Sequence, residues 1–266
     1  MKQEQLTAED LIRAEHITLT FPSASGPLSV LEDISLRIKT GEFLCIVGPS
    51  GCGKTSLLRV LGGLLAPTTG SVCLAGEPLI SPRKDVGFVF QRANLMPWRT
   101  VLRNVTLPLE IAGVEFVEAR RQANELLDLV GLSGYEEAHP KELSGGMQQR
   151  VIIARVLIQN PIVLLMDEPF GSLDALTRER MNLELLRIWG TRRKTVVLVT
   201  HSIQEAIFLG DRVLVMNATP GRIVDEVTVP LPRPRDLDMQ WHDTFGTLVD
   251  RIRASIRCDE SFRPPM

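Results

Sequence analysis

The stretch Phe43-Leu44-Cys45-Ile46-Val47-Gly48-Pro49-Ser50-Gly51-Cys52-Gly53-Lys54-Thr55-Ser56-Leu57-Leu58-Arg59-Val60-Leu61 decides the fold. Phe43 to Val47 is an apolar run and reads as a buried strand, while Ser56 to Leu61 is helix-prone. Between them, Gly48 to Thr55 fits the pattern of glycine, a four-residue spacer, glycine-lysine, then serine or threonine. Strand, glycine-rich loop and helix in that order form a phosphate-binding unit. Glycines let the backbone wrap tightly and turn its N–H groups inward as an anion nest. The following helix adds the positive end of its dipole. Lys54 then reaches the β- and γ-phosphates of a nucleotide, and the Thr55 hydroxyl is placed to ligate Mg²⁺. Pro49, Ser50, Gly51, Cys52, Gly53 and Ser56 complete the candidate loop. Cys52 reads either as a redox switch or as a small side chain that fits the turn, and the second reading is simpler.

At 266 residues the chain fits one large α/β domain, or a domain with a subdomain and a tail. A content of 44% hydrophobic and 23% charged residues suits a globular protein with a sizeable core. The net charge of −2 supplies no basic field for nucleic acid. Two short basic pieces, Arg192-Arg193-Lys194 and Arg233 with Arg235, read as solvated surface. No run approaches the roughly 18 apolar residues of a membrane span. Met1-Lys2-Gln3-Glu4-Gln5 leads into polar sequence rather than a signal-peptide core. Cys45, Cys52, Cys73 and Cys258 lack metal-site spacing and suit a reducing compartment. The expectation is a protein on the cytoplasmic face of a membrane, held there only through another protein.

Alternation of apolar and polar residues marks His16–Phe21 and Ile34–Ile38 as half-exposed antiparallel strands. Ser71–Leu74 and Asp85–Phe90 are short strand candidates bounded by turn residues. From Pro97 to Asn160 the pattern is mainly helical, with Phe116, Ala119, Ala123, Leu126, Leu127 and Val130 on one face of a helix starting near Val114. Strands then alternate with helices: Ile162–Met166 before Leu176–Trp189, Thr195–Thr200 before Gln204–Leu209, then Arg212–Met216. Such alternation indicates a parallel sheet with crossover helices. After Leu231, Pro232 and Pro234 loosen the chain before a last helix over Phe245–Ile256. No internal repeat is visible, and each motif occurs once.

Leu143-Ser144-Gly145-Gly146-Met147-Gln148-Gln149-Arg150, followed downstream by Asp167-Glu168, narrows the choice among phosphate-loop proteins. Ser144 stands where a helix N-cap would, and Gly145 and Gly146 open the helix carrying Val151–Leu157. Its N–H groups and hydroxyl suit a γ-phosphate, although such a turn in isolation is more often plain capping. Val163 to Met166 form an apolar strand that ends in two acids. A strand ending at the sheet's C-terminal edge puts Asp167 near the metal beside Thr55. Alternation aims Glu168 elsewhere, toward a water that attacks the γ-phosphate.

From about Phe21 to Leu231 the sequence resembles the nucleotide-binding subunits of ATP-binding-cassette (ABC) transporters, with several motifs in the family's order. The resemblance implies an α/β fold: a P-loop NTPase (RecA-like) core with a mostly parallel sheet, an antiparallel β subdomain and a helical signature subdomain. It sets an ATP-binding domain over 11–231, with the helical subdomain at about 97–160, and a short C-terminal helical tail over 232–266. ATP and Mg²⁺ are the implied cofactors. Ser144, Gly145 and Gly146 would face the ATP held by the phosphate loop of a second copy. Met147 replaces the family's usual glutamine. Gln91 aligns with the glutamine that senses Mg²⁺ and the attacking water, and His201 with the switch histidine that bonds the γ-phosphate. Asp174, in Ser172-Leu173-Asp174, matches the loop that crosses the dimer interface. Phe21 takes the place of the aromatic that stacks on adenine, where only the ring face is needed.

Asn94-Leu95-Met96-Pro97-Trp98 reads either as subdomain core or as a dock for a permease helix. The implied function is ATP hydrolysis powering an importer through separate membrane permease subunits, with an extracytoplasmic binding protein as indirect partner. A non-transport ABC ATPase and an ATP sensor without turnover are the alternatives. The first usually carries coiled-coil insertions or paired cassettes, and Glu168 and His201 argue against the second. Met96-Pro97-Trp98, Thr200 to Ala206, Pro220 to Val224 and Leu231-Pro232-Arg233-Pro234-Arg235 resemble the nitrate, sulfonate and taurine import branch. That branch also includes importers of pyrimidine vitamin precursors. The roughly thirty-five residues after Leu231 are too few for the regulatory barrel of sugar-importer relatives.

Overall fold

The computed structural model describes residues 10–23, 26–91, 94–192, 194–217 and 220–260. Met1 to Gln5, Arg193 and the side chains of Arg192 and Cys258, on which sequence expectations fell, lie outside the described residues. In chain order the elements are β1 (Asp10–Phe21), β2 (Leu28–Lys39), β3 (Phe43–Val47), α1 (Lys54–Leu61), β4 (Thr69–Leu74), β5 (Glu77–Pro78), β6 (Val86–Val89), α2 (Val101–Ile111) and α3 (Phe116–Leu129). They continue as α4 (Gly145–Leu157), β7 (Val163–Asp167), α5 (Ala175–Arg192), β8 (Thr195–Val199), α6 (Ile203–Leu209), β9 (Arg212–Asn217), β10 (Arg222–Thr228) and α7 (Asp243–Glu260). The chain divides into two compact units, Met1–Arg83 with Thr195–Met266, and Lys84–Lys194.

The first unit holds an antiparallel sheet, ordered β2-β1-β4-β5, and the strands β10-β9-β3-β8. Strand β3 runs parallel to both neighbours, with Cys45 opposite Leu198 of β8 and Val213 of β9. All five residues of β3 and all five of β8 are buried, as strands covered on both faces must be. Strands β1 and β2 are longer than their alternation suggests. His16 (φ 52°) and Asp33 (φ 48°) adopt left-handed backbone, and the β1–β2 register shifts between Ala14 and Ile17. Such bulges reset which side chains face inward, so a period of two breaks inside a continuous strand.

Arg235 is buried and Arg233 half-buried, where the sequence reads both as solvated surface. Arg235 Nη1 donates to the carbonyls of Ile207 (3.0 Å), Phe208 (2.8 Å) and Gly210 (2.8 Å), closing the C-terminal end of α6. Arg233 donates to Leu209 O (2.7 Å) and to Asp211 (2.9 Å). Helix C-termini leave carbonyls without intrahelical partners and carry negative dipole charge. Both needs draw the two cations inward. Helix α7 then packs on this unit: Asn217 Nδ2 donates to Ile256 O (3.0 Å), while Arg251 and Ser255 bond Asp225 (each 2.8 Å).

In the second unit β6 pairs in parallel with β7, and the apolar face of α3 is buried at Ala119, Ala123, Leu126 and Leu127. Helix α3 begins at Phe116, close to the expected start. Lys194 of the short basic piece reaches Asn160 Oδ1 (2.8 Å). No described helix is long and apolar enough to cross a membrane.

Candidate functional site

The phosphate loop lies between β3 and α1. Gly51 (φ 83°) and Gly53 (φ 93°) take left-handed conformations, which cost a residue with a Cβ far more than glycine. The Cys52 N–H donates to Pro49 O (3.4 Å), and Leu57 N–H to Gly53 O (2.8 Å) opens the helix. Lys54 is buried, 7% exposed, and its ammonium donates to Gly48 O and Pro49 O, both at 2.8 Å. The lysine thereby bends over its own loop. Thr55 and Ser56 are half-buried in the first turn of α1. The Cys52 side chain is 2% exposed, and burial raises its thiol above the usual range against the opposing pull of Lys54. A protonated, enclosed thiol is a poor redox sensor.

The same unit carries Phe21 and His201. Phe21 ends β1 with its ring 37% exposed, opposite Leu28. His201 is exposed just beyond β8, between Thr200, whose N–H donates to Ile46 O (3.1 Å), and Ser202. The Ser202 hydroxyl accepts from Glu205 N–H (3.2 Å) and caps α6. His201 is therefore held between the sheet and a capped helix.

The second unit carries the acids and the serine-glycine turn. Asp167 ends the buried strand β7, and Glu168 follows in left-handed backbone (φ 43°). That conformation is rare for a residue with a side chain and marks sites where geometry is imposed. It turns Glu168 off the strand direction, and Gln91 Nε2 donates to its Oε2 at 3.3 Å. Asp174 accepts from Thr177 N–H (3.0 Å) at the head of α5; the Thr177 side chain, then this backbone bond, hold its carboxyl below the ordinary range. Ser144 caps α4 by accepting from Met147 N–H (3.3 Å); it and Gly145 are exposed, while Gly146 is buried.

Several braces escape sequence reasoning. Arg178 donates to Phe170 O (3.3 Å) and Leu173 O (2.9 Å), fixing the loop after Glu168. Gln148 donates to Pro140 O (2.9 Å) in front of the serine-glycine turn. Asn104 is fully buried; its oxygen accepts from Met96 N–H and its amide donates to the carbonyls of Met96, Arg99 and Thr100. This clasp shapes the loop holding Trp98, which is 72% exposed. The core reading of Trp98 is thereby excluded. A buried asparagine inside a helix was the available signal, since such a side chain must be satisfied by neighbouring backbone.

A phosphate loop after a buried parallel strand and an acid-ended strand define an ATPase of the P-loop NTPase fold. Residues 31–171 match the family described as ABC transporter. A nitrate import ATP-binding protein of Synechocystis sp. is 46% identical over 247 residues, covering 91% of this chain and 93% of the relative. A taurine import ATP-binding protein of Roseobacter denitrificans is 45% identical over 242 residues, covering 89% and 90%. The dimeric post-hydrolysis structure of the ATP-binding cassette MJ0796, bound to ADP and phosphate, is similar with a TM-score of 0.72 and 35% identity, covering 83% of this chain and 100% of that one. The chain belongs to the ABC transporter family, among its ATP-hydrolysing cassettes.

Proposed function

We propose that this chain is the ATP-hydrolysing subunit of an importer for a small oxyanion of the nitrate or sulfonate kind. Two copies would enclose ATP, each cradling a triphosphate with residues 48–56 and capping its partner's with Ser144, Gly145 and Gly146. Phe21 would stack on the adenine. Thr55, Gln91 and Asp167 offer only oxygen donors, the chemistry that suits Mg²⁺. When bound, that ion would supply positive charge that neutralises the triphosphate. Glu168 would polarise the attacking water, Lys54 and His201 would hold the γ-phosphate, and Asp174 would link the two sites. Closing and parting of the pair would drive permease subunits docked at the Trp98 loop, on the cytoplasmic face of the membrane. Relatives named for nitrate and for taurine import match almost equally well, which supports the solute class rather than one solute.

The observation that carries the catalytic reading is the Gln91–Glu168 contact at 3.3 Å beside left-handed Glu168 backbone. The test is phosphate release from wild type and Glu168→Gln. Loss of the general base costs about a hundredfold or more, and the variant is expected to keep ATP and accumulate as a dimer in light scattering. Equal, negligible release from both proteins would favour an ATP sensor. Gentle detergent extracts that yield no integral-membrane partner would overturn the transport reading.

A further inference from the structure

Pro220-Gly221-Arg222 enters the sequence reading only as a hint of branch, yet Gly221 sits hard against the phosphate loop. A Cβ placed on Gly221 would run into the carbonyl oxygen of Cys52 and would come within 3.2 Å of Met216 Cε. The first approach is closer than the 3.0 Å limit that real Cβ atoms respect. Gly221 is anchored there by β2. Its N–H donates to Val30 O (2.8 Å), and its carbonyl accepts from Glu32 N–H (3.0 Å).

The same piece of β2 meets the loop again. A Cβ on Gly53 would lie 2.7 Å from Leu31 Cδ2 and 3.0 Å from Val30 O. At the other end of the loop, a Cβ on Gly48 would strike Met216 O and lie 2.9 Å from Cys52 Sγ. Val30 to Glu32, Met216 and Gly221 thus form one bracket against Gly48, Cys52 and Gly53. No side chain stands between the Gly221 backbone and the Cys52 carbonyl.

We propose that Gly221 is a positioning residue for nucleotide binding: its missing side chain lets the bracket close on Cys52 and sets the curvature of the phosphate loop. The loop's N–H groups point where that curvature sends them. This assignment rests on the proposal that residues 48–56 bind ATP. A methyl group at position 221 forces the Cys52 peptide or the β9–β10 connection to move by on the order of 1 Å, because packed backbone cannot deform as a surface side chain does. A displacement of that size lengthens the loop's N–H contacts to the phosphates, and losing one such charge-assisted contact costs about tenfold or more in affinity.

The experiment compares ATP affinity, by calorimetric titration with MgATP, for the full-length wild type, Gly221→Ala and Gly246→Ala. Gly246 lies on α7 with nothing within 4 Å of its would-be Cβ. Gly246→Ala is expected to bind like wild type and Gly221→Ala about tenfold or more weakly. The steady-state kcat at saturating MgATP should stay within about threefold of wild type while KM rises, which separates positioning from general damage. If Gly221→Ala does not fold, Pro220→Gly loosens the same turn without adding atoms, and its affinity is expected to fall about threefold or more. Wild-type affinity in Gly221→Ala, or in Pro220→Gly where that variant replaces it, overturns the positioning role. Failure of the wild type to bind ATP would instead overturn the parent reading.

Discussion

Replacing Arg235 with methionine keeps a long apolar stem and removes the fork that closes α6. Three charge-assisted hydrogen bonds are lost, to Ile207, Phe208 and Gly210. At roughly 1.5–3 kcal/mol each they sum to about 5–9 kcal/mol. Against this stands the cost of keeping the guanidinium dry: its side chain is 1% exposed. Desolvation first, then Arg233, push it down to about 10, while Asp211 pulls the other way. That depression corresponds to roughly 3 kcal/mol. The net loss on substitution is therefore about 2–6 kcal/mol, in line with the cost of orphaning buried partners of a charge.

The unfolded chain binds the extra proton only between about pH 10 and the ordinary arginine range, so below about pH 10 the native-state cost is constant. Buffer choice near neutrality does not matter. Differential scanning fluorimetry without nucleotide should show a midpoint about 6–12 °C lower for a loss near 3 kcal/mol, at roughly 2–4 °C per kcal/mol. Arg235→Lys should fall between, since an ammonium lacks the planar fork. A midpoint within about 2 °C of wild type would refute the reasoning, because it would show that the α6 carbonyls do not need Arg235.

Trp98→Ala should leave ATPase activity of the isolated protein intact while reducing recovery of membrane subunits in detergent pull-downs, because the ring is 72% exposed and held out by the Asn104 clasp. Iodoacetamide should label Cys52 of the native protein far more slowly than the urea-unfolded protein at pH 8. Labelling should stay slow until the pH passes the thiol's ordinary value of 9.0, since burial raises it further. Asp225→Asn should speed amide exchange along α7, read by mass spectrometry. The Arg251 and Ser255 bonds depress the Asp225 carboxyl below 3.8. That docking energy is therefore present above pH 3.8 and lost as pH falls through the lowered value.

Much of the architecture was legible because each key element states its purpose locally. Phe43 to Val47 and Val163 to Met166 are apolar without interruption, as doubly covered strands must be, and Ser144 announces the helix it caps. Strand ends were less legible, because the bulges at His16 and Asp33 erase the alternation that a reader follows. β10 escaped notice: Arg222 to Thr228 alternates half-buried and exposed residues and shows one buried residue, Val227. Arg233 and Arg235 misled for a different reason. Their partners are backbone carbonyls of α6, and a sequence does not display which helix end an arginine will reach. The candidate site was named residue by residue in the sequence, but its braces were not. Asn104, Arg178 and Gly221 act through backbone groups whose proximity only folding creates.

The unit that holds the phosphate loop is assembled from two segments more than a hundred residues apart, ending at Arg83 and resuming at Thr195, with β3 flanked by β8 and β9. On the ribosome, β3 and its loop emerge early yet have no neighbouring strands until Thr195 to Asn217 have been made. A nascent chain arrested before Thr195 would expose an apolar ribbon ready for chaperones and incapable of cradling a triphosphate. Competence for nucleotide thus waits until Asn217 has been made, which delays energy consumption until β3 has gained both neighbours.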